Sequence, residues 1–151
     1  MMKENTRGKR REIMTQKFDT ETIRLINLFE SVTGATVKDC VVNRDVVYYV
    51  IDEGKVGIAI GKNGASVRHA EKMIGKTVKL FEFSKELTKF VKNLVPQATE
   101  VKIKNEEDGI IIEIKVDKKN RALVIGRDRK NLNLFKELLQ RNYNIIDLIV
   151  K

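Results

Sequence analysis

Ile58-Ala59-Ile60-Gly61-Lys62-Asn63-Gly64-Ala65-Ser66-Val67 decides how the rest of the chain is read. Two glycines bracket a lysine and an asparagine. Beyond them Val67, Ala70, Met73 and Ile74 recur at spacings of three and four, the period of an amphipathic helix. With a short helix expected over 54–60, the four residues form a tight turn between helices, which glycine serves through its unusual dihedrals. The same four residues suit a phosphate. Gly61 and Gly64 present no Cβ to block a phosphodiester, Lys62 brings charge and Asn63 a neutral donor. The amides of Gly64, Ala65 and Ser66 are expected to open the next helix, where the dipole favours an anion. Arg68, one turn along, is placed to reach a second phosphate. Ile58 and Ala59 either line a groove beside the turn or belong to the core.

Moving outward, the stretch occurs twice. Shifted by 65 residues, Ile58-Ala59-Ile60-Gly61-Lys62 falls on Leu123-Val124-Ile125-Gly126-Arg127, and Val67, Ala70, Met73 and Ile74 fall on Leu132, Phe135, Leu138 and Leu139. Upstream, Leu25, Ile26 and Phe29 meet Phe90, Val91 and Leu94, and Asp19 meets Ser84. Apolar positions fall on apolar positions, the signature of an internal repeat. We therefore divide the chain into a basic tail (1–16), a first unit (17–83) and a second unit (84–151). The second unit departs where it matters most: it reads Gly126-Arg127-Asp128-Arg129-Lys130, with arginine in place of the second glycine. Arg129 would put a side chain where a nucleic-acid backbone approaches, and Asp128 adds a repulsive charge. Arg127, Arg129 and Lys130 still offer charge, so this loop is expected to bind more weakly or with less base selectivity.

Each unit opens with a helix whose cap residue is Asp19 or Ser84. Ile23, Ile26 and Phe29, with Leu25 and Val32, make the apolar stripe of the first helix, which Gly34 ends; Pro96 ends its counterpart. Strands are expected at Thr36–Val42 and Val46–Ile51, then at Glu100–Lys104 and Ile110–Val116, with turn-forming residues between them. Thr77–Phe83 closes the first unit as a strand. The order helix–strand–strand–helix–turn–helix–strand makes each unit α+β, a three-stranded sheet covered on one face by helices. Tyr48 and Tyr49 are neighbours on a strand, so one of them faces the core and the other covers the opposite sheet face.

Composition narrows the function. The chain has 151 residues, with 30 Lys+Arg against 21 Asp+Glu, a formal charge of +9. The tail contributes Lys3, Arg7, Lys9, Arg10 and Arg11 against Glu4 and Glu12, and most of the remaining excess lies in the second unit. Such a surface attracts polyanions, because neutralising phosphates releases counterions. A single cysteine, Cys40, and a single histidine, His69, leave no disulfide, zinc cluster or nucleophile–base set to build on. Cys40 reads as a small core residue and His69 as a surface residue. No apolar run approaches the length of a membrane span, and the polar start does not resemble a secretory signal. These features point to a cytoplasmic binding protein that is not an enzyme, needs no cofactor and has no membrane partner.

With those residues in place, the order of elements around Gly61-Lys62-Asn63-Gly64 resembles the type II KH domain, whose GxxG loop clamps about four nucleotides of single-stranded nucleic acid. Nearly the whole chain beyond the tail is similar to two such domains in tandem, the arrangement of the archaeal NusA-like family of transcription factors. The resemblance implies single-stranded RNA as ligand, a role in transcription termination or antitermination, and RNA polymerase as a partner. On that pattern the RNA-binding residues are Gly61, Lys62, Asn63, Gly64, Arg68, Ile58 and Ala59, joined by Gly126, Arg127, Arg129 and Lys130. Ribosomal RNA binding or ribosome assembly, and a KH-based protein scaffold, remain as alternatives. Two units that pack together are expected to make a self-sufficient monomer.

Overall fold

The computed structural model describes residues 19–151, so the basic tail lies outside the described residues. The chain divides between Phe83 and Ser84 into two compact units of the same plan. The first contains α1 (Thr20–Thr33), β1 (Val37–Val42), β2 (Val46–Ile51), α2 (Val56–Ile60), α3 (Ala65–Ile74) and β3 (Thr77–Glu82). The second contains α4 (Leu87–Leu94), β4 (Ala98–Glu106), β5 (Gly109–Val116), α5 (Lys118–Ile125), α6 (Lys130–Asn142) and β6 (Ile145–Val150). Each sheet has three strands in the order of the sequence, the first pair antiparallel and the second parallel. A parallel pair needs a long crossover, and here the crossover is the two-helix segment that carries the loop of interest.

Local chemistry explains most boundaries. The Asp19 carboxylate accepts from the Thr22 amide at 2.8 Å and starts α1, and Gly34 ends it at φ 80°, both as expected. Val46–Ile51 has the expected bounds, and its central position lets both faces be buried. In the second unit, the expected cap Ser84 acts three residues upstream of the helix. Its hydroxyl accepts from the Glu86 amide at 3.2 Å, a serine turn, and α4 begins at Leu87 with Glu86 as cap. Strand β4 is longer than expected at both ends, because Ala98 pairs with Val116 beyond a register shift and Glu106 pairs with Gly109 across a two-residue turn.

The core of the first unit is built from Leu25, Phe29, Cys40, Val47, Tyr49, Ile51, Ala59, Ala70 and Val78. Phe29 and Tyr49 stack with ring centroids 4.2 Å apart, and the Tyr49 hydroxyl donates to the Leu25 carbonyl at 2.7 Å. Tyr48, on the other sheet face, is also buried, with its ring parallel to Phe81. Two residues of the expected apolar stripes stand outside the core: Ile23 and Met73 are exposed, because α1 and α3 each bury a narrower face than their apolar residues could cover. In the second unit β5 alternates cleanly, burying Ile112, Ile114 and Val116 and leaving Glu113 on the other face. There Glu113 holds Lys104 at 2.7 Å and Lys151 at 3.1 Å.

Candidate nucleic-acid interface

The turn between α2 and α3 is a single 3₁₀ turn, Lys62–Gly64, set between two glycines of unusual conformation. Gly61 has φ 77° and ψ 173°, a region that side chains avoid. A Cβ there would also lie 2.8 Å from both Cβ and N of Ser66. Glycine is thus required twice over, by the backbone angle and by the approach of α3. Asn63 is left-handed at φ 56° and ψ 28°, a conformation asparagine tolerates, and Gly64 follows at φ 76°. The Gly64 amide closes the turn on the Gly61 carbonyl at 3.1 Å, and the Ala65 amide donates to the Lys62 carbonyl.

Those two bonds correct part of the expected anion site. Gly64 and Ala65 spend their amides inside the turn, so they do not await a phosphate as helix-opening donors. What the loop offers instead is backbone without side chains at both glycines, and side-chain charge. Lys62 and Asn63 are exposed, and the guanidinium of Arg68 lies over Gly64, its Nη1 2.7 Å from where a Cβ would sit. The structure thus gathers Gly61, Lys62, Asn63, Gly64 and Arg68 at one place. Beside them α2 forms a small apolar platform: Gly57 is exposed, Ile58 is 47% exposed and Ile60 is 40% exposed. Ala59 is fully buried and belongs to the core. It supports the platform from beneath, which corrects its expected place on the groove surface. Ile60 is a residue that sequence reading passed over. No spacing signalled it, since residues two apart on a helix point to different sides.

The second unit repeats this geometry with different chemistry. Gly126 has φ 79° and ψ 166°, Asp128 φ 56° and ψ 30°, and Arg129 φ 62° and ψ 22°. The Arg129 amide reaches the Gly126 carbonyl at 3.1 Å, the counterpart of the Gly64–Gly61 bond. The loop therefore keeps its shape although arginine stands in a left-handed position that costs a side-chain-bearing residue about 1–2 kcal/mol. Asn131 takes the place of Ser66, so close to Gly126 that a Cβ there would meet its side chain at 2.8 Å, and its amide donates to the Leu123 carbonyl at 3.0 Å. Arg127, Arg129 and Lys130 are all exposed. The position equivalent to Arg68 is Asn133, so here the helix after the loop brings no cation back over it, and the guanidiniums are those of Arg127 and Arg129 in the loop itself.

Comparison with known proteins bears on what such a pair of loops belongs to. The KH domain family model matches residues 24–94, from within α1 through α4. A probable transcription termination protein NusA of Methanocaldococcus jannaschii is 35% identical over 136 residues, covering 89% of this chain and 74% of that protein. The protein of the same description from Halobacterium salinarum is also 35% identical and is covered over 98% of its length; that from Thermoplasma acidophilum is 30% identical and covered over 94%. The crystal structure of APE1850 superposes with a TM-score of 0.73 at 25% identity, covering 89% of this chain and all of that one. Among the described residues no helix is long and apolar enough to cross a membrane.

Proposed function

We propose a function that proceeds from one premise: the chain belongs to the archaeal NusA family of KH-domain proteins, and its two α+β units are tandem KH domains. It binds single-stranded RNA during transcription and takes part in termination or antitermination, with RNA polymerase as its neighbour. It does so as a binding protein and catalyses no reaction. The first unit carries the main site. Its Gly61-Lys62-Asn63-Gly64 loop admits the ribose-phosphate chain, Lys62 and Arg68 neutralise phosphates, Asn63 donates to a phosphate or sugar oxygen, and Ile58 and Ile60 supply an apolar floor for bases. The second loop, through Gly126, Arg127, Arg129 and Lys130, adds charge with less selectivity, because Arg129 fixes a Cβ at a position where Gly64 meets only the movable guanidinium of Arg68.

The observation that carries this reading is the loop itself: two glycines held by backbone angle and close packing, with exposed cations and an exposed apolar helix directly beside them. A tight helical turn with no further task would have no need of exposed isoleucines. Measuring affinity for a single-stranded RNA and for a duplex DNA of equal length tests the reading. We expect the RNA to bind more tightly, with affinity falling as salt rises. Equal affinity for both, or tighter binding to the duplex, would remove it. Co-purification with polymerase rather than with ribosomal subunits is the expected result in cell extracts, and the reverse would move the function to ribosomal RNA.

A further inference from the structure

The repeat that relates the two units also isolates where they differ. In register, Glu53, Gly54, Val56 and Ile58 of the first unit correspond to Lys118, Lys119, Arg121 and Leu123 of the second. Between Asp52 and Gly64, Asp52 and Glu53 balance Lys55 and Lys62. Over the matching stretch, Lys118, Lys119, Arg121, Arg127 and Arg129 outweigh Asp117 and Asp128 by three charges. The helix is longer too: α5 has eight residues where α2 has five. At 100° per residue, Arg121, Lys118, Ala122 and Lys119 fall within one side of α5, with Leu123 at its edge, and all five are exposed, while Val124 on the other side is buried.

We propose that this face of α5 is a phosphate-binding surface for RNA, in which Lys118, Lys119 and Arg121 extend the basic loop Arg127–Lys130 and grip the backbone without reading bases. The proposal rests on the RNA-binding reading above and assigns the second unit a distinct part in it. Two further observations support it. Elsewhere in the second unit, Lys102, Lys104, Lys136, Arg141 and Lys151 each lie within 4.0 Å of a carboxylate, whereas the scattered Lys85, Lys92 and Lys115 meet none among the described residues. Among the described residues, none of the six cations of α5 and its loop forms such a pair, although Asp117 and Asp128 flank them in sequence. Although Arg129 still feels the Asp147 carboxylate, cations gathered without close acidic partners repel one another, and a polyanion relieves that repulsion. Moreover, the small residues beside the first loop are replaced by larger or charged ones: Gly54 becomes Lys119, Val56 becomes Arg121 and Gly57 becomes Ala122, while Leu123, the counterpart of Ile58, stays 62% exposed among them. The charge that remains is complementary to the feature every RNA shares, its chain of phosphates.

The test uses the full chain with Lys118→Gln, Lys119→Gln and Arg121→Gln combined. Glutamine preserves helix propensity at exposed positions. Binding of a 20-nucleotide single-stranded RNA is followed across a salt series. Losing three phosphate contacts should reduce the slope of log affinity against log salt by about 2. Affinity should fall most at low salt, and the ranking of different RNA sequences should stay the same. The single variant Lys119→Gln should reduce the slope by about 0.7, which keeps the test open if the triple variant folds poorly. An unchanged slope overturns the proposal, as does a changed ranking of RNA sequences. Lys62→Asp combined with Asn63→Asp separates the two readings. If that pair abolishes binding while the α5 variants leave the slope alone, this inference fails and the function stands. If neither has an effect, both fail.

Discussion

Arg129 shows how far one residue can depart from a pattern while the backbone keeps it. Its φ of 62° matches the left-handed position of Gly64, and the same amide-to-carbonyl bond closes both loops. Replacing Arg129 with glycine should relieve strain and stabilise the second unit by about 1 kcal/mol, less than the full left-handed cost because glycine is freer when unfolded. Urea denaturation measures this; a loss of stability would mean that the arginine side chain contributes more than its backbone costs. Gly61→Ala should do the opposite, costing about 2 kcal/mol or more, since alanine meets both an unfavourable backbone region and Ser66. At this scale the sequence was legible where chemistry is local: two glycines around Lys62 and Asn63 signalled the loop. The spent amides of Gly64 and Ala65 were not legible, since whether a turn is 3₁₀ depends on its closing bonds. Nor was the burial of Ala59, since a small apolar residue on a short helix suits either side equally.

Between residues and whole units, the elements depend on a few side-chain anchors. Asp19 accepts the Thr22 amide, and that bond holds its carboxyl below the usual carboxylate range. Its stabilisation is thus present at neutral pH and fades as acid titrates it through the lowered value. Asp19→Ala should lower the melting temperature at pH 7, by a difference that shrinks as the pH is taken down below the usual carboxylate range. A similar sign holds for Glu113, lowered chiefly by its hydrogen bonds from Lys104 and then Lys151, which joins β4 and the chain after β6 to the central strand. Tyr49 is anchored differently: burial raises its hydroxyl pKa, so it stays neutral and donates to the Leu25 carbonyl. Tyr49→Phe should cost about 1 kcal/mol, the net worth of a typical hydrogen bond, read by denaturant titration. Strand β2 was readable because both its faces are apolar, and α1 because a cap and a glycine bound it. The start of α4 was not, because a serine can serve as a helix cap or close its own turn two residues on. Sequence alone does not separate the two.

For the molecule as a whole, the repeat was the most legible feature, because apolar positions must coincide wherever two chains fold around the same core. What the repeat concealed was the difference between the units, since α2 and α5 match in position while opposing each other in chemistry. An apolar floor beside an open glycine loop suits bases, and a basic helix beside an arginine loop suits phosphates. The two loops should therefore be unequal in RNA binding, and the RNA affinity of two paired variants tests that ranking most directly. Lys62→Asp with Asn63→Asp should weaken binding of single-stranded RNA at least tenfold, about 1.4 kcal/mol, and by more than Arg127→Asp with Arg129→Asp. If the second pair weakens binding as much as the first or more, the first unit does not carry the main site.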